Sequence, residues 1–67
     1  MTVTVNGEKR QLVEGSTVAD LLADIGIRGR RLAVERNRET VSRDSYRSTP
    51  VRDGDVYEVV VLIGGGS

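Results

Sequence analysis

Apolar and polar residues alternate from the start of the chain. Val3 and Val5 stand between Thr2 and Thr4, and a period of two marks a strand with one face turned inward. Asn6-Gly7 follows, two residues that tolerate positive φ, and alternation resumes through Lys9, Gln11 and Val13, which predicts a β-hairpin. Glu14-Gly15-Ser16-Thr17 breaks the strand and offers a hydroxyl N-cap, and Asp20 puts a negative charge in the first turn, where it suits the helix dipole. Val18, Leu21, Leu22 and Ile25 then fall at i, i+3, i+4 and i+7, one stripe on one helical face. This spacing predicts a short amphipathic helix from about Val18 to about Ile25, with Gly26 free to take the left-handed conformation that ends it.

After the basic turn around Arg28, Arg30 and Arg31, residues 32–36 alternate again and stop at Asn37, which predicts a third strand and a turn. A minor strand is expected at residues 39–41, and residues 42–50 read as a polar loop with room for one helical turn. Asp53-Gly54-Asp55 predicts a tight turn. Residues 56–63 are the most β-prone in the chain, with Tyr57, Val59 and Val61 on one face, and should form a central strand. A single helix packed on one face of a mixed sheet of four to five strands accommodates this order. If the first and last strands are central neighbours, they run parallel through a right-handed crossover, the α+β arrangement called the β-grasp. The expected organisation is one domain over residues 1–63 and a flexible glycine-rich tail over residues 64–67.

Composition narrows the chemistry. The 67 residues lie near the lower limit for an unaided core. The chain has no cysteine and no histidine, so it lacks a thiol nucleophile and the commonest general base and metal ligand. These absences exclude most enzymatic chemistry and lead us to expect no bound cofactor and no metal. With no disulfide and no apolar signal segment, a cytoplasmic location is expected, and residues 59–63, the longest apolar run, cannot span a bilayer. Ten acidic residues balance ten basic ones, so neither nucleic acid nor an anionic membrane is an expected partner. The central arginines come without stacking aromatics and read as a solvated turn. Asp53 and Asp55, on either side of a glycine, read as turn formers and not as an acid/base or metal pair.

The distinctive feature is an apolar strand that runs directly into Gly64, Gly65 and Gly66. Three extended glycines reach roughly 10 Å, and without Cβ atoms they can thread a channel that any side chain would block. Such a tail suits delivery of a carboxylate into a partner's active site, although Gly-Gly-Gly-Ser is also the composition of an inert linker. On the sheet face opposite the helix, Val56, Glu58, Val60 and Leu62 would lie uncovered. Val60 and Leu62, with Ile63 and Gly64 beside them, are the expected partner-binding residues, against the alternative of plain β-propensity in a central strand.

The Asn6-Gly7 hairpin, the Val18/Leu21/Leu22 helix, Asp53-Gly54-Asp55, the valine-rich strand and the Gly-Gly tail together resemble the ubiquitin-like sulfur carriers of the ThiS/MoaD family, in its thiamin-pathway branch, over nearly the whole chain. The resemblance implies a protein co-substrate and not an enzyme. An E1-like, ThiF-like adenylyltransferase would use ATP to adenylate the terminal glycine carboxylate. A sulfur donor such as a cysteine desulfurase would supply the sulfur of a thiocarboxylate, which a ThiG-like thiazole synthase would consume. By carry-over Gly65 and Gly66 match the terminal pair, with Gly66 the acyl carrier. The family normally ends on glycine, whereas Ser67 follows here, so removal of Ser67 before activation, or its origin as a cloning remnant, is the expectation; a divergent homologue is the alternative. Sulfur delivery to a molybdopterin, cysteine or secondary-metabolite pathway, and a ubiquitin-like interaction domain with an inert tail, remain open.

Overall fold

A computed structural model describes residues 1–27 and 30–63. Strands β1 (Thr2–Val5) and β2 (Glu8–Gln11) form the hairpin, closed by Asn6 at φ 51° and Gly7 at φ 83°. Both central residues have positive φ, the turn geometry whose twist matches that of paired strands. The strand stops short of Val13. Leu12 N–H bonds to Met1 C=O at 2.8 Å, and Val13 C=O is then claimed by the Ser16 N–H and hydroxyl at 3.1 and 2.7 Å, so Val13 sits in a turn with 80% of its surface exposed.

Helix α1 (Val18–Asp24) begins at a capping box. The Thr17 hydroxyl accepts the Asp20 N–H at 3.3 Å, and the Asp20 carboxylate accepts the Thr17 N–H at 2.9 Å, so two otherwise orphaned donors are satisfied reciprocally. Ile25 caps the other end and Gly26 follows at φ 82°, as the sequence predicts. Val18, Leu21 and Leu22 are buried and Ile25 packs against them.

Strand β3 (Leu32–Arg36) turns through Asn37 and Arg38, at φ 50° and 72°, into the short β4 (Glu39–Thr40). One 3₁₀ turn, Arg43–Ser45, lies in the polar loop. The loop then runs back along the start of α1: Val18 N–H bonds to Thr49 C=O and Val51 N–H to Ser16 C=O, each at 2.9 Å, which carries Val51 into the core.

Strand β5 (Val56–Val61) is central in a five-stranded sheet ordered β2-β1-β5-β3-β4. It runs parallel to β1, with Thr4 opposite Val56 and Val5 opposite Tyr57, and antiparallel to β3, from Leu32 opposite Val61 to Arg36 opposite Tyr57. This is the mixed sheet with one helix that the element order predicts, the β-grasp. The strand ends two residues earlier than its apolar run because β3 begins only at Leu32; one further bond, Leu62 N–H to Arg31 C=O at 2.8 Å, extends the pairing. Val3, Val5, Val34, Tyr57 and Val59 from the sheet meet Val18, Leu21 and Leu22 from α1, with Val51 beside them. Val61, expected on the same inward face as Tyr57 and Val59, is only half-buried.

Candidate functional site

Alternation along β5 separates two roles. Tyr57 and Val59 enter the core, while Val56, Glu58 and Val60 point away from it and Leu62 and Ile63 continue the strand outward. Val56, Val60, Leu62 and Ile63 expose 46%, 55%, 45% and 89% of their surfaces. Ala33, directly across from Val60 on β3, is exposed as well, so an apolar strip lies on the uncovered side of the sheet. Glu35 lies opposite Glu58 on the same face, and the two like charges place an acidic spot beside the strip. The structure therefore leaves Val60, Leu62 and Ile63 all exposed at the C-terminal end of β5. Gly64, Gly65, Gly66 and Ser67 lie outside the described residues, as does Arg28. Arg30 and Arg31 are exposed, consistent with a solvated turn. Tyr46 packs against the core from the loop.

What leads to this end of β5 is held from both sides by asparagines in left-handed turns. Asn37, after β3, donates its N–H to Val56 C=O at 2.7 Å and accepts the Val56 N–H on Oδ1 at 2.9 Å. Asn6, after β1, accepts the Val59 N–H on Oδ1 at 2.8 Å and donates from Nδ2 to Val59 C=O at 2.9 Å. Sequence reasoning identified both residues as turn formers and missed both as clamps. The turn chemistry is local, but the partner of Asn6 is 53 residues away, and no nearby pattern signals it.

Asp55 is also more than a turn former. Asp53 serves the turn, its Oδ1 accepting the Thr2 N–H at 2.8 Å, whereas Asp55 is buried and collects four donors. Oδ2 accepts Arg36 Nε, the Arg52 N–H and the Tyr57 hydroxyl, each at 2.9 Å, and Oδ1 accepts Asn37 Nδ2 at 3.1 Å. Burial alone would raise this carboxyl, but the four hydrogen bonds outweigh it and hold Asp55 below the usual carboxylate range. The same arrangement pushes Tyr57 up to about 12, through burial first and then through its bond to the Asp55 carboxylate. The hydrogen bond to Asp55 also raises Arg36. Four donors from β5, β3 and the turns beside them converge on this one carboxylate, so the cluster locks β5 to β3.

Between α1 and the 3₁₀ turn lies an open groove of about 830 Å³, where Arg30, Arg43 and Arg47 are interspersed with Asp20 and Asp44. Its charges largely offset one another. The candidate site is therefore the uncovered face of β5 and the tail it leads into.

The comparisons agree with the fold. The Sulfur carrier protein ThiS of Thermus thermophilus is 42% identical over 64 residues, which cover 96% of this chain and 98% of that protein. The crystal structure of the thiamine biosynthesis protein ThiS from Geobacter metallireducens superposes with a TM-score of 0.82 at 33% identity, covering 98% of this chain and all of that one. A protein from Paramagnetospirillum magneticum called thiazole synthase is 46% identical over 100% of this chain, which spans only 21% of that larger protein. The model of the ThiS family matches residues 3–66, from β1 into the glycine run, and with these likenesses it establishes that the chain belongs to the ThiS family.

Proposed function

We propose that this chain is a sulfur carrier of thiamin biosynthesis, a protein co-substrate and not itself an enzyme. The observation that carries the reading is the end of the fold: the central strand β5, anchored on both sides, finishes at Val61, and glycines at 64–66 follow inside the span of the family match. A carboxylate is a poor electrophile until a good leaving group is attached. In this reading the Gly66 carboxylate attacks the α-phosphorus of ATP in a ThiF-like activating enzyme, releasing pyrophosphate and forming an acyl adenylate. The terminal sulfur of a persulfide on a donor such as a cysteine desulfurase then displaces AMP to give an acyl disulfide; a thiol reductant cleaves the S–S bond, is itself oxidised to a disulfide, and releases the thiocarboxylate, a good sulfur nucleophile held on a recyclable protein. Gly65 supplies the slender approach. Val60, Leu62, Ile63 and Gly64 provide the docking surface for the activating enzyme and the synthase.

A ThiG-like thiazole synthase is the proposed acceptor, supported by the occurrence of the same unit within a protein called thiazole synthase. ATP belongs to the activating enzyme, no cofactor or metal is held by this chain, and the cytoplasm is the proposed location. Gly66 must be terminal to be activated, with Ser67 removed beforehand or a cloning remnant. The test is intact mass spectrometry of the chain, with and without Ser67, after incubation with a ThiF-like enzyme, ATP and a sulfur donor. A gain of about 16 Da, one oxygen exchanged for sulfur, is expected once Gly66 is terminal. No gain in either form would leave an interaction domain with an inert tail, and a gain with no transfer to thiazole synthase would redirect the sulfur to another pathway.

A further inference from the structure

The β1 ladder to β5 ends early. Backbone pairing reaches only Val5 opposite Tyr57, followed by Asn6 N–H to Tyr57 C=O at 2.9 Å. The chain then turns away at Gly7, and the Asn6 side chain supplies the next rung by presenting both an acceptor and a donor to the Val59 peptide, as a backbone amide would. The turn alone does not require this. Glycine or aspartate also tolerates the φ of 51° that Asn6 adopts, but glycine offers neither group and aspartate only the acceptor. Beyond Val59, the pairing seen among the described residues lies on the β3 side: Ala33 opposite Val60, Leu32 opposite Val61, and Leu62 N–H to Arg31 C=O. Asn6 is thus the last hold from the β1 side before the strand leaves for the glycine run.

We infer that Asn6 is a positioning residue for carboxylate delivery: by fixing Val59 from the β1 side, while β3 holds residues 60–62 from the other, it sets the line along which the end of β5 points past Ile63, and so where Gly66 arrives after docking. The inference rests on the carrier reading above. From Val59 to Ile63 an extended chain covers roughly 13 Å, so a tilt of about 5° at Val59 moves Ile63 by roughly 1 Å. Misplacement of that size costs up to about 100-fold in a positioned reaction, and a loss of about ten-fold, inside that bound, is expected. Val60 and Leu62 remain on the exposed face, and docking is unaffected.

The test is steady-state adenylation by the ThiF-like enzyme, with this chain as the varied substrate in whichever C-terminal form the wild type is activated. Asn6→Gly keeps the left-handed turn and removes both bonds; Asn6→Asp keeps the turn and the acceptor but sets a carboxylate oxygen against Val59 C=O. The expected result is a kcat about ten-fold lower for Asn6→Gly and intermediate for Asn6→Asp, with KM within about two-fold of wild type and faster amide exchange at Val59. An unchanged kcat in folded Asn6→Gly, or a loss confined to KM, would overturn the inference alone; should Asn6→Gly not fold, Asn6→Asp decides by the same criteria. A wild-type chain that is never activated would overturn the carrier reading and this inference together.

Discussion

The Tyr57 hydroxyl donates to Asp55 Oδ2 at 2.9 Å in the buried interior, and the same oxygen accepts Arg36 Nε from the neighbouring β3 at 2.9 Å. Two residues apart, Asp55 just before β5 and Tyr57 within it thus form a polar anchor inside an otherwise apolar core. The anchor fixes the register of β5 against β3 at the end of the strand remote from the tail.

Asp55→Ala should destabilise the fold by about 2–4 kcal/mol, because it leaves the Tyr57 hydroxyl and the Arg52 N–H without their acceptor and Arg36 without its partner. Tyr57→Phe should cost about 1 kcal/mol, since Asp55 keeps three donors. Urea titration measures both, and a loss from Asp55→Ala no larger than that from Tyr57→Phe would refute the anchoring role.

The two shifted groups act at opposite ends of the pH scale. Tyr57 titrates higher when folded than its ordinary value of about 10, so the stability it contributes is complete below pH 10 and is lost as pH rises toward about 12. Asp55 titrates lower when folded, so its contribution is complete above the usual carboxylate range, about 3.9, and is lost as pH falls below it. Thermal melts across pH should show both flanks, with the alkaline one shallower in Tyr57→Phe.

Val60→Asp changes a side chain that is 55% exposed on the uncovered sheet face. Its effect on stability should stay within about 1 kcal/mol, the range of strand propensities. Binding to the activating enzyme should nevertheless weaken by at least about ten-fold, because the charge enters the middle of an apolar contact. Calorimetric titration that finds wild-type affinity would remove Val60 from the docking surface.

Deleting Gly65 and Gly66 should leave the melting temperature unchanged and abolish the gain in mass on activation. These residues follow the last strand and carry no side chain that could fill the core. A truncated chain that still supported thiazole formation would exclude Gly66 as the acyl carrier.

Short-range patterns determined much of this protein in advance. The spacing of Val18, Leu21 and Leu22 specified one helical face, Thr17 and Asp20 its start and Gly26 its end, because capping and periodicity operate within a turn or two of the helix. Asn6-Gly7 placed the hairpin, and alternation in residues 56–61 separated inward Tyr57 and Val59 from outward Val56 and Val60. The exposure of Val60 and Leu62 was legible for the same reason. Tertiary structure alone decided the rest. Val13 continued the alternation, yet Ser16 claimed its carbonyl; Asp55 looked like half of a turn, yet Arg36 reached it from β3; Asn6 looked like a hinge, yet its amide found Val59 across 53 residues. Those outcomes depend on which strands become neighbours, and a polar side chain carries no mark of its distant partner until burial obliges every donor and acceptor to be matched.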